Sequence, residues 1–177
     1  PNGAPKPVSR QIVVIVCVAV LGLVGLDRWW GLSRSRMIDE RDTQARGFDV
    51  TKSDEEWQAT LSPRQYAVLR KHDTEYPGTS PLLEEHRPGA FACAGCGQIL
   101  FESEAKFESG SGWPSFYAAV DQAVAETEDR TLGMRRVEIH CRRCGGHLGH
   151  VFPDGPRPTG LRYCTNGAAL TFTPKRR

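Results

Sequence analysis

Cys164 is the residue best suited to chemistry, because it is a cysteine for which the folded part of the sequence offers no partner. If the surrounding stretch 161–167 is a β-strand, its side chains alternate in direction, so Arg162, Cys164 and Asn166 share one face. A guanidinium beside a sulfur favours the reactive thiolate, and a carboxamide can donate a hydrogen bond to an oxygen that the sulfur attacks. The alternative is a buried, inert thiol, since free cysteines are among the most buried residues.

Four other cysteines form two Cys-x-x-Cys pairs, and a glycine follows the second cysteine of each pair. The glycine allows a tight turn that points both sulfurs at one ion, and four thiolates suit a tetrahedral structural zinc ion. Because such a zinc has no open coordination position, we expect it to stabilise the fold rather than to catalyse. Two redox dithiols or two disulfides are the alternatives. The predicted zinc ligands are Cys93, Cys96, Cys141 and Cys144.

Two histidines, His147 and His150, follow the second cysteine pair and are separated by Leu-Gly. A single histidine is most often an ordinary surface or core residue, but two beside a metal loop favour a site that handles protons. A second metal site at these histidines is the alternative. It lacks carboxylate company, since no carboxylate lies between or immediately beside the two histidines.

A glycine-rich loop, 109–116, carries Trp113. An aromatic side chain on a loop can form the wall of an apolar pocket. The alternative is a core tryptophan held in place by Pro114.

The elements that must position these residues are short. Glycine (18) and proline (12) are frequent without forming a repeat, which is typical of a loop-rich β protein. Capping boxes that begin at Ser53 and Ser62 predict two short helices. Their expected buried residues are Trp57, Leu61, Tyr66 and Leu69.

From Phe91 onward, short apolar segments alternate with turn residues, as at 99–101, 137–140, 151–152 and 170–172. This pattern predicts antiparallel strands, because it leaves no room for parallel crossovers. We therefore expect a mainly β fold of two small antiparallel sheets, preceded by short helices and by a hydrophobic N-terminal helix.

The N-terminal stretch 12–26 is apolar and uncharged. As a helix it would rise about 22 Å, which is short of the roughly 30 Å hydrocarbon core of a bilayer. Arg10 and the segment 27–30 flank it as charged and aromatic residues flank a membrane span. We interpret it as an uncleaved anchor. A cleaved signal peptide lacks its small-residue cleavage motif here, and a buried core helix of this composition would lack a polar face.

The chain is thus divided into a tail with hydrophobic anchor (1–31), a charged tether (32–50) and a folded domain (51–177). This division predicts a membrane-anchored protein. Basic residues before the apolar run favour an extracytoplasmic domain, whereas the arginines that follow it favour the opposite side, so the side remains open.

Taken together, these stretches resemble the type B, R-specific peptide methionine sulfoxide reductases. The resemblance runs in order from about residue 50 to residue 172, through the motifs at 93–96, 112–116, 141–144, 147–152, 154–156 and 158–164 and through Asn166. It implies a small β fold of two antiparallel sheets with one structural zinc. It also implies reduction of methionine R-sulfoxide in oxidised peptides and proteins, which repairs oxidative damage.

The resemblance also implies a role for each site residue. Cys164 as thiolate would attack the sulfoxide sulfur and become a cysteine sulfenic acid. His147 and His150 would bind and protonate the sulfoxide oxygen, and Trp113 would form the pocket for the methyl group on sulfur.

The residues around the nucleophile match the family except at one position. Arg162 and Asn166 flank Cys164, and Arg162 is expected to lower the pKa of the Cys164 thiol. Many family members have a cysteine at the position of Ser111, where it resolves the sulfenic acid as a disulfide. Recycling is therefore expected to use an external thiol, either a thioredoxin-like dithiol or glutathione with glutaredoxin.

The charge balance of the chain indicates which classes of partner to expect. Lys and Arg total 23 against 21 Asp and Glu, so the chain has no strong basic field and nucleic acid is not an expected partner. We expect a monomer.

A second function class is a zinc-knuckle binding module that has kept the fold and lost activity. The combination of Cys164, the two histidines and their neighbours favours the enzyme, because a binding module would need none of them.

Overall fold

The computed structural model describes residues 47–176. Two helices come first, α1 (Asp54–Thr60) and α2 (Pro63–Lys71). The strands that follow are β1 (Gly89–Cys93), β2 (Ile99–Glu102), β3 (Lys106–Phe107), β4 (Ser115–Phe116), β5 (Val124–Asp129), β6 (Arg136–Cys141), β7 (His147–Phe152), β8 (Arg162–Thr165) and β9 (Leu170–Pro174).

Both predicted helices are present and begin at the predicted capping boxes. The Ser53 hydroxyl accepts from the backbone N–H of Glu56, whose side chain accepts from the N–H of Ser53. Ser62 and Gln65 make the same reciprocal pair at α2. These bonds satisfy donors that a helix start would otherwise leave unpaired. α2 ends at Lys71 and is capped by His72, which adopts a left-handed conformation with a φ of 57°.

The strands form two antiparallel sheets. The smaller sheet has three strands in the order β2-β1-β9, and the larger has six in the order β3-β4-β8-β7-β6-β5. The mainly β fold with two antiparallel sheets and two helices is thus confirmed, although one sheet is larger than expected. The two strands that pair with β8 are β4 and β7, which are distant from each other in sequence.

Aromatic side chains join the two sheets. The rings of Phe101 on β2 and Phe116 on β4 stack with centroids 4.3 Å apart. Phe91 on β1 meets Phe116 edge-on at 5.0 Å. All three side chains are buried, and burial of this much apolar area is the main favourable contribution to folding.

The helices pack beside the cysteine knuckles. Trp57 and Leu69 are buried, and both lie close to Gly95 in the first knuckle. Leu69 also packs closely against Gly146, directly after the second knuckle. Of the four predicted buried residues, Tyr66 is only partly buried.

The predicted N-terminal anchor, 12–26, lies outside the described residues. In the part of the chain that the structure covers, no helix is both long and apolar enough to cross a bilayer. α1 and α2 have 7 and 9 residues, whereas a transmembrane helix needs about 20. This finding overturns the prediction of a membrane-anchored location for the part of the chain that the structure describes.

Candidate functional site

The two cysteine knuckles lie side by side and have the same local geometry. In each, the glycine after the second cysteine has a positive φ, 75° at Gly97 and 68° at Gly145. The N–H of that glycine donates to the carbonyl of the first cysteine of its knuckle at 2.8 Å. A positive φ is readily available to glycine, so the predicted tight turns follow from the residue type.

The four sulfurs of the knuckles converge, within 4.8 Å of one another. Cys93 and Cys144 are 3.7 Å apart at Sγ, and Cys96 and Cys141 are 3.5 Å apart. A tetrahedron with zinc–sulfur bonds of about 2.3 Å has edges of about 3.8 Å, so the observed spacing fits a tetrahedral metal ion. The four cysteines could therefore hold one metal ion, as predicted from their spacing.

Cys164 lies in the middle of the larger sheet, on β8. It is opposite Ser115 of β4 and opposite His150 of β7. β7 approaches unusually closely here, because a Cβ at Gly149 would stand 2.1 Å from the carbonyl oxygen of Cys164. Glycine at position 149 therefore allows the two strands to bring His150 beside Cys164.

A chain of serine hydroxyls leads to the Cys164 sulfur. The Ser115 hydroxyl contacts the carbonyl of Trp113 at 3.1 Å and Ser109 at 2.7 Å, and Ser109 contacts Ser111 at 2.8 Å. Ser111 Oγ lies 3.8 Å from Cys164 Sγ. Each hydroxyl carries one hydrogen and can therefore donate only once. If Ser115 donates to the Trp113 carbonyl, then Ser109 must donate to Ser115 and Ser111 must donate to Ser109. The Cys164 thiol must then donate to Ser111. This order suits a resting thiol, whereas the reversed order, in which Ser111 donates to the sulfur, favours the thiolate.

Burial raises the pKa of the Cys164 thiol above its ordinary value, and the contact with Ser111 and the charge of Arg162 lower it without cancelling the effect of burial. Arg162 is held by Asp154 through two hydrogen bonds of 2.8 Å. Its guanidinium also lies 4.5 Å from the centre of the Phe152 ring. Arg162 therefore acts on the sulfur in the predicted direction, but it is outweighed because the thiol is partly desolvated.

His147 is buried on β7, and its Nδ1 lies 2.6 Å from Oε1 of Glu138 on the neighbouring strand β6. The exposed His72, at the end of α2, places its own Nδ1 3.0 Å from the same oxygen. Burial acts to raise the pKa of the Glu138 carboxyl, but the hydrogen bond from His147 and the charges of the nearby histidines together outweigh it and lower the pKa. A carboxylate at Nδ1 fixes the orientation of the His147 ring and leaves Nε2 for other contacts.

His150 is paired with a different carboxylate. Its Nε2 lies 2.8 Å from Oδ2 of Asp129, at the end of β5. Burial lowers the pKa of the His150 imidazole despite this contact. The centres of the His147 and His150 rings are 5.8 Å apart, so the two predicted histidines do lie together.

Trp113 is half-buried on its loop rather than enclosed in the core. Its indole Nε1 donates to the carbonyl of Glu75 at 3.0 Å. The loop approaches the turn after Glu75 closely, because a Cβ at Gly112 would stand 2.6 Å from Pro77. Gly112 has a φ of 91°, which further favours glycine at this position.

Asn166 lies one residue beyond β8, and its carboxamide forms hydrogen bonds with backbone groups. Its Nδ2 donates to the carbonyl of Leu148 at 3.1 Å, and its Oδ1 accepts from the N–H of Glu75 at 3.0 Å. Buried polar groups are almost always hydrogen-bonded, and these bonds satisfy the amide. Asn166 therefore joins β7 to the segment that carries Glu75.

Glu75 is a buried carboxylate that sequence analysis missed. Its carboxylate accepts from the backbone N–H groups of Gly167 and Ala168, directly after Asn166. Together with its backbone contacts, it links Trp113 to Asn166. Glu138, Asp129 and His72 were missed as well. The alternation of β6 could have pointed to Glu138, but only the tertiary structure brings the four residues to the site.

The chain matches known proteins over most of its length. A SelR domain model matches residues 61–174. "Peptide methionine sulfoxide reductase MsrB" of Bradyrhizobium diazoefficiens is 58% identical over 139 residues, which cover 78% of this chain and 100% of that protein. The protein of the same name from Leptospira interrogans is 55% identical over 126 residues, covering 71% of this chain and 96% of that protein.

A third relative is similar as well. "Peptide methionine sulfoxide reductase MsrB" of Methanosarcina mazei is 51% identical over 125 residues, which cover 70% of this chain and 89% of that protein. Identity at this level over nearly the whole length of the relatives confirms the family that the sequence motifs predicted. The chain therefore belongs to the SelR domain family, the type B peptide methionine sulfoxide reductases, and is an oxidoreductase.

Proposed function

We propose that this chain reduces methionine R-sulfoxide in peptides and that Cys164 is its nucleophile. The observation that carries the proposal is the position of Cys164. Among the cysteines that the structure describes, it alone lies outside the four-sulfur cluster, and it stands beside Ser111 and opposite His150. Family membership supports the reaction class. The proposed reductase domain comprises residues 51–177.

The proposed chemical step is an oxygen transfer. The Cys164 thiolate attacks the sulfoxide sulfur while the sulfoxide oxygen takes up a proton. The oxygen ends on the Cys164 sulfur as a sulfenic acid, and methionine is released as the thioether. The methionine sulfur is reduced by two electrons and the cysteine sulfur is oxidised by two, so no other oxidant or reductant enters this step.

The two histidines are proposed to handle the proton. Glu138 at Nδ1 of His147 leaves Nε2 of that ring to face the sulfoxide oxygen, and Asp129 at Nε2 of His150 leaves Nδ1. A histidine oriented by a carboxylate is suited to general acid catalysis. Because burial raises the Cys164 pKa, the thiol must lose its proton when substrate is bound, and the same pair is proposed to accept it.

The remaining site residues are proposed to fix the substrate and the nucleophile. Trp113, half-buried on its loop, would form one wall of the pocket for the methyl group on sulfur. Arg162 would stabilise negative charge at Cys164. Asn166 would hold the segment after Cys164 in place through its bonds to Leu148 and Glu75. Because the methyl group and the oxygen on the sulfoxide sulfur would both be held in fixed places, only one epimer would fit.

We propose that the ion held by the four knuckle cysteines is zinc and that it is structural. Four cysteine ligands leave no open position, and the buried side chains of the two helices pack beside the knuckles. Bound zinc would join segments 93–96 and 141–144, and its binding energy would add to folding energy.

Recycling of Cys164 is proposed to need an external thiol. Ser111, which occupies the position of the family's resolving cysteine, lies beside the sulfur but cannot form a disulfide. A thioredoxin-like dithiol would attack the sulfenic acid, or glutathione would form a mixed disulfide that a glutaredoxin removes. In both routes two external thiols become a disulfide, and the oxygen leaves as water.

The experiment is a stereochemical assay with a matched variant. A peptide carrying both epimers of methionine sulfoxide is incubated with the enzyme and dithiothreitol, and the epimers are separated by chromatography. The R epimer alone should be consumed, and Cys164→Ser should consume neither. Equal loss of both epimers, or activity in Cys164→Ser, would contradict the proposal.

A further inference from the structure

A second cluster of metal-ligating side chains lies about the buried His147. In sequence, a metal site at the histidines after the second knuckle lacked a nearby carboxylate. The structure supplies one, because β6 pairs with β7 and carries Glu138 to His147. The end of α2 adds His72. Two consecutive strands and the end of a helix that is remote in sequence thus bring two imidazoles and one carboxylate together.

We propose that His72, Glu138 and His147 form a second metal site, which binds a divalent first-row transition ion and stops turnover. Nδ1 of each histidine faces the same carboxylate oxygen, at 3.0 Å for His72 and 2.6 Å for His147. The three ligand atoms lie within 4.8 Å of one another. Imidazole nitrogen together with carboxylate oxygen is a donor set that zinc, iron, nickel and copper accept.

The geometry needs only a small opening to admit an ion. Ligand atoms about 2.1 Å from a tetrahedral zinc are about 3.4 Å apart, so Glu138 must move away from His147 by less than about 1 Å. The ligands can do this, because His72 has 62% of its side chain exposed and Glu138 has 17% exposed. His147 provides the rigid, buried side of the site.

Three protein ligands leave further positions of the ion open to water. This distinguishes the second site from the closed four-cysteine site, which has no free position. It also predicts weaker binding, so that the second site would be filled and emptied as the free metal concentration changes.

The bound ion would act on the chemistry through His147. In the absence of metal, Nδ1 of His147 faces Glu138, and Nε2 is free to take up and release a proton. With a metal on Nδ1, the ring keeps its one proton on Nε2 and cannot take a second. His147 would then no longer cycle between acid and base, so turnover would stop. This inhibitory effect rests on the proposed function, whereas metal binding does not.

Metal binding is tested by adding cobalt to the full chain, with zinc already in the four-cysteine site. The parent protein for this experiment carries the substitution Cys164→Ser, which removes the free active-site thiol. Added Co²⁺ should bind to the parent with weak visible absorption and without the intense bands of sulfur ligands. His72→Ala should weaken binding strongly, because even the loss of a group that only supports a ligand costs roughly 10–100-fold in metal affinity.

A matched control is available in His86. It also has 62% of its side chain exposed beside a glutamate, Glu84, but it lies outside the cluster. His86→Ala should bind Co²⁺ as the parent does. Equal cobalt affinity in the parent and in His72→Ala would overturn the site, and so would an equal loss in His72→Ala and His86→Ala.

Inhibition is tested with the Cys164 enzyme by adding Zn²⁺ during turnover. The zinc concentration that halves the rate should be at least about tenfold higher in His72→Ala than in the parent, and unchanged in His86→Ala. Equal inhibition of parent and His72→Ala would mean that zinc acts elsewhere, for example on the Cys164 thiolate, and would overturn the inhibitory role. A parent that is inactive without added zinc would instead contradict the proposed function and leave the cobalt result intact.

Discussion

The cysteines that the structure describes occupy two environments that differ in how they are built. Those of the knuckles come from two copies of one local turn, each closed by a glycine with positive φ and by the same backbone hydrogen bond. Cys164 instead takes its neighbours from β4, β7 and the serine loop. One environment is repeated local structure, and the other is assembled from distant segments.

This difference separates stability from reactivity. Sulfurs held by local turns at a fixed spacing suit an ion that joins remote parts of the chain. The sulfur of Cys164 lies near one hydroxyl and one guanidinium, and burial raises its pKa. Its reactivity therefore depends on tertiary contacts. Substitutions should affect one environment without the other.

The largest expected effect is that a substitution in one environment changes metal binding and stability, whereas a substitution in the other changes turnover alone. Cys96→Ser should lose the metal and lower the melting temperature by roughly 10 °C or more, because metal binding contributes to folding. Cys164→Ser should abolish turnover but keep the metal and the melting temperature. Metal analysis, calorimetry and the epimer assay measure these effects. A Cys96→Ser protein that melts like the parent would remove the contrast between the two environments.

The second prediction tests whether Glu75 positions the Cys164 site. In Glu75→Gln, one oxygen can still accept from the backbone, but the new amide N–H₂ faces a backbone N–H that needs an acceptor. Trp113 and Asn166 should shift slightly, and kcat/KM for the sulfoxide peptide should fall roughly tenfold to a hundredfold. The metal content should not change.

Glu84→Gln is the matched control for this prediction, because Glu84 has 89% of its side chain exposed. It should keep the parent kcat/KM. If Glu75→Gln lowers the melting temperature but leaves kcat/KM unchanged, Glu75 supports the fold only and does not position the site.

The third prediction uses Ser111, which lies 3.8 Å from the Cys164 sulfur. After one equivalent of substrate without reductant, the parent should carry a trappable sulfenic acid on Cys164 and unchanged knuckle cysteines. Ser111→Cys should instead yield a disulfide between the introduced thiol and Cys164, because a thiol at this distance can condense with the sulfenic acid. Mass spectrometry distinguishes the two products. A disulfide between Cys164 and a knuckle cysteine in the parent would contradict the separation of the two environments.

The smallest expected effect is a change in the pKa of Cys164. The positive charge of Arg162 favours the thiolate, so Arg162→Gln should raise the pKa of the Cys164 thiol further. The pH profile of Cys164 alkylation should then move to higher pH by about one unit or less, because Arg162 is already paired with Asp154.

Arg157→Gln, at an exposed position outside the site, should leave the alkylation profile unchanged. An unchanged profile in Arg162→Gln as well would mean that Asp154 neutralises the guanidinium completely. In that case the contact with Ser111 would remain as the influence that favours the thiolate.

The sequence alone determined the features that depend on local rules. Both helix starts follow from capping boxes, and the tight turn of each knuckle follows from Cys-x-x-Cys spacing with a glycine after each pair. The strands, too, follow from short apolar segments between turn residues. The family followed from the order of the motifs, and the comparisons confirmed it.

Tertiary structure decided what surrounds each reactive group. The sequence predicts that Arg162 acts on Cys164, but not that Asp154 holds the guanidinium or that burial outweighs it. It does not pair His147 with Glu138 either, since that contact depends on the register between β6 and β7. Strand pairing and burial are set by the packing of the whole chain, so the residues that surround a reactive side chain are decided only when the fold closes.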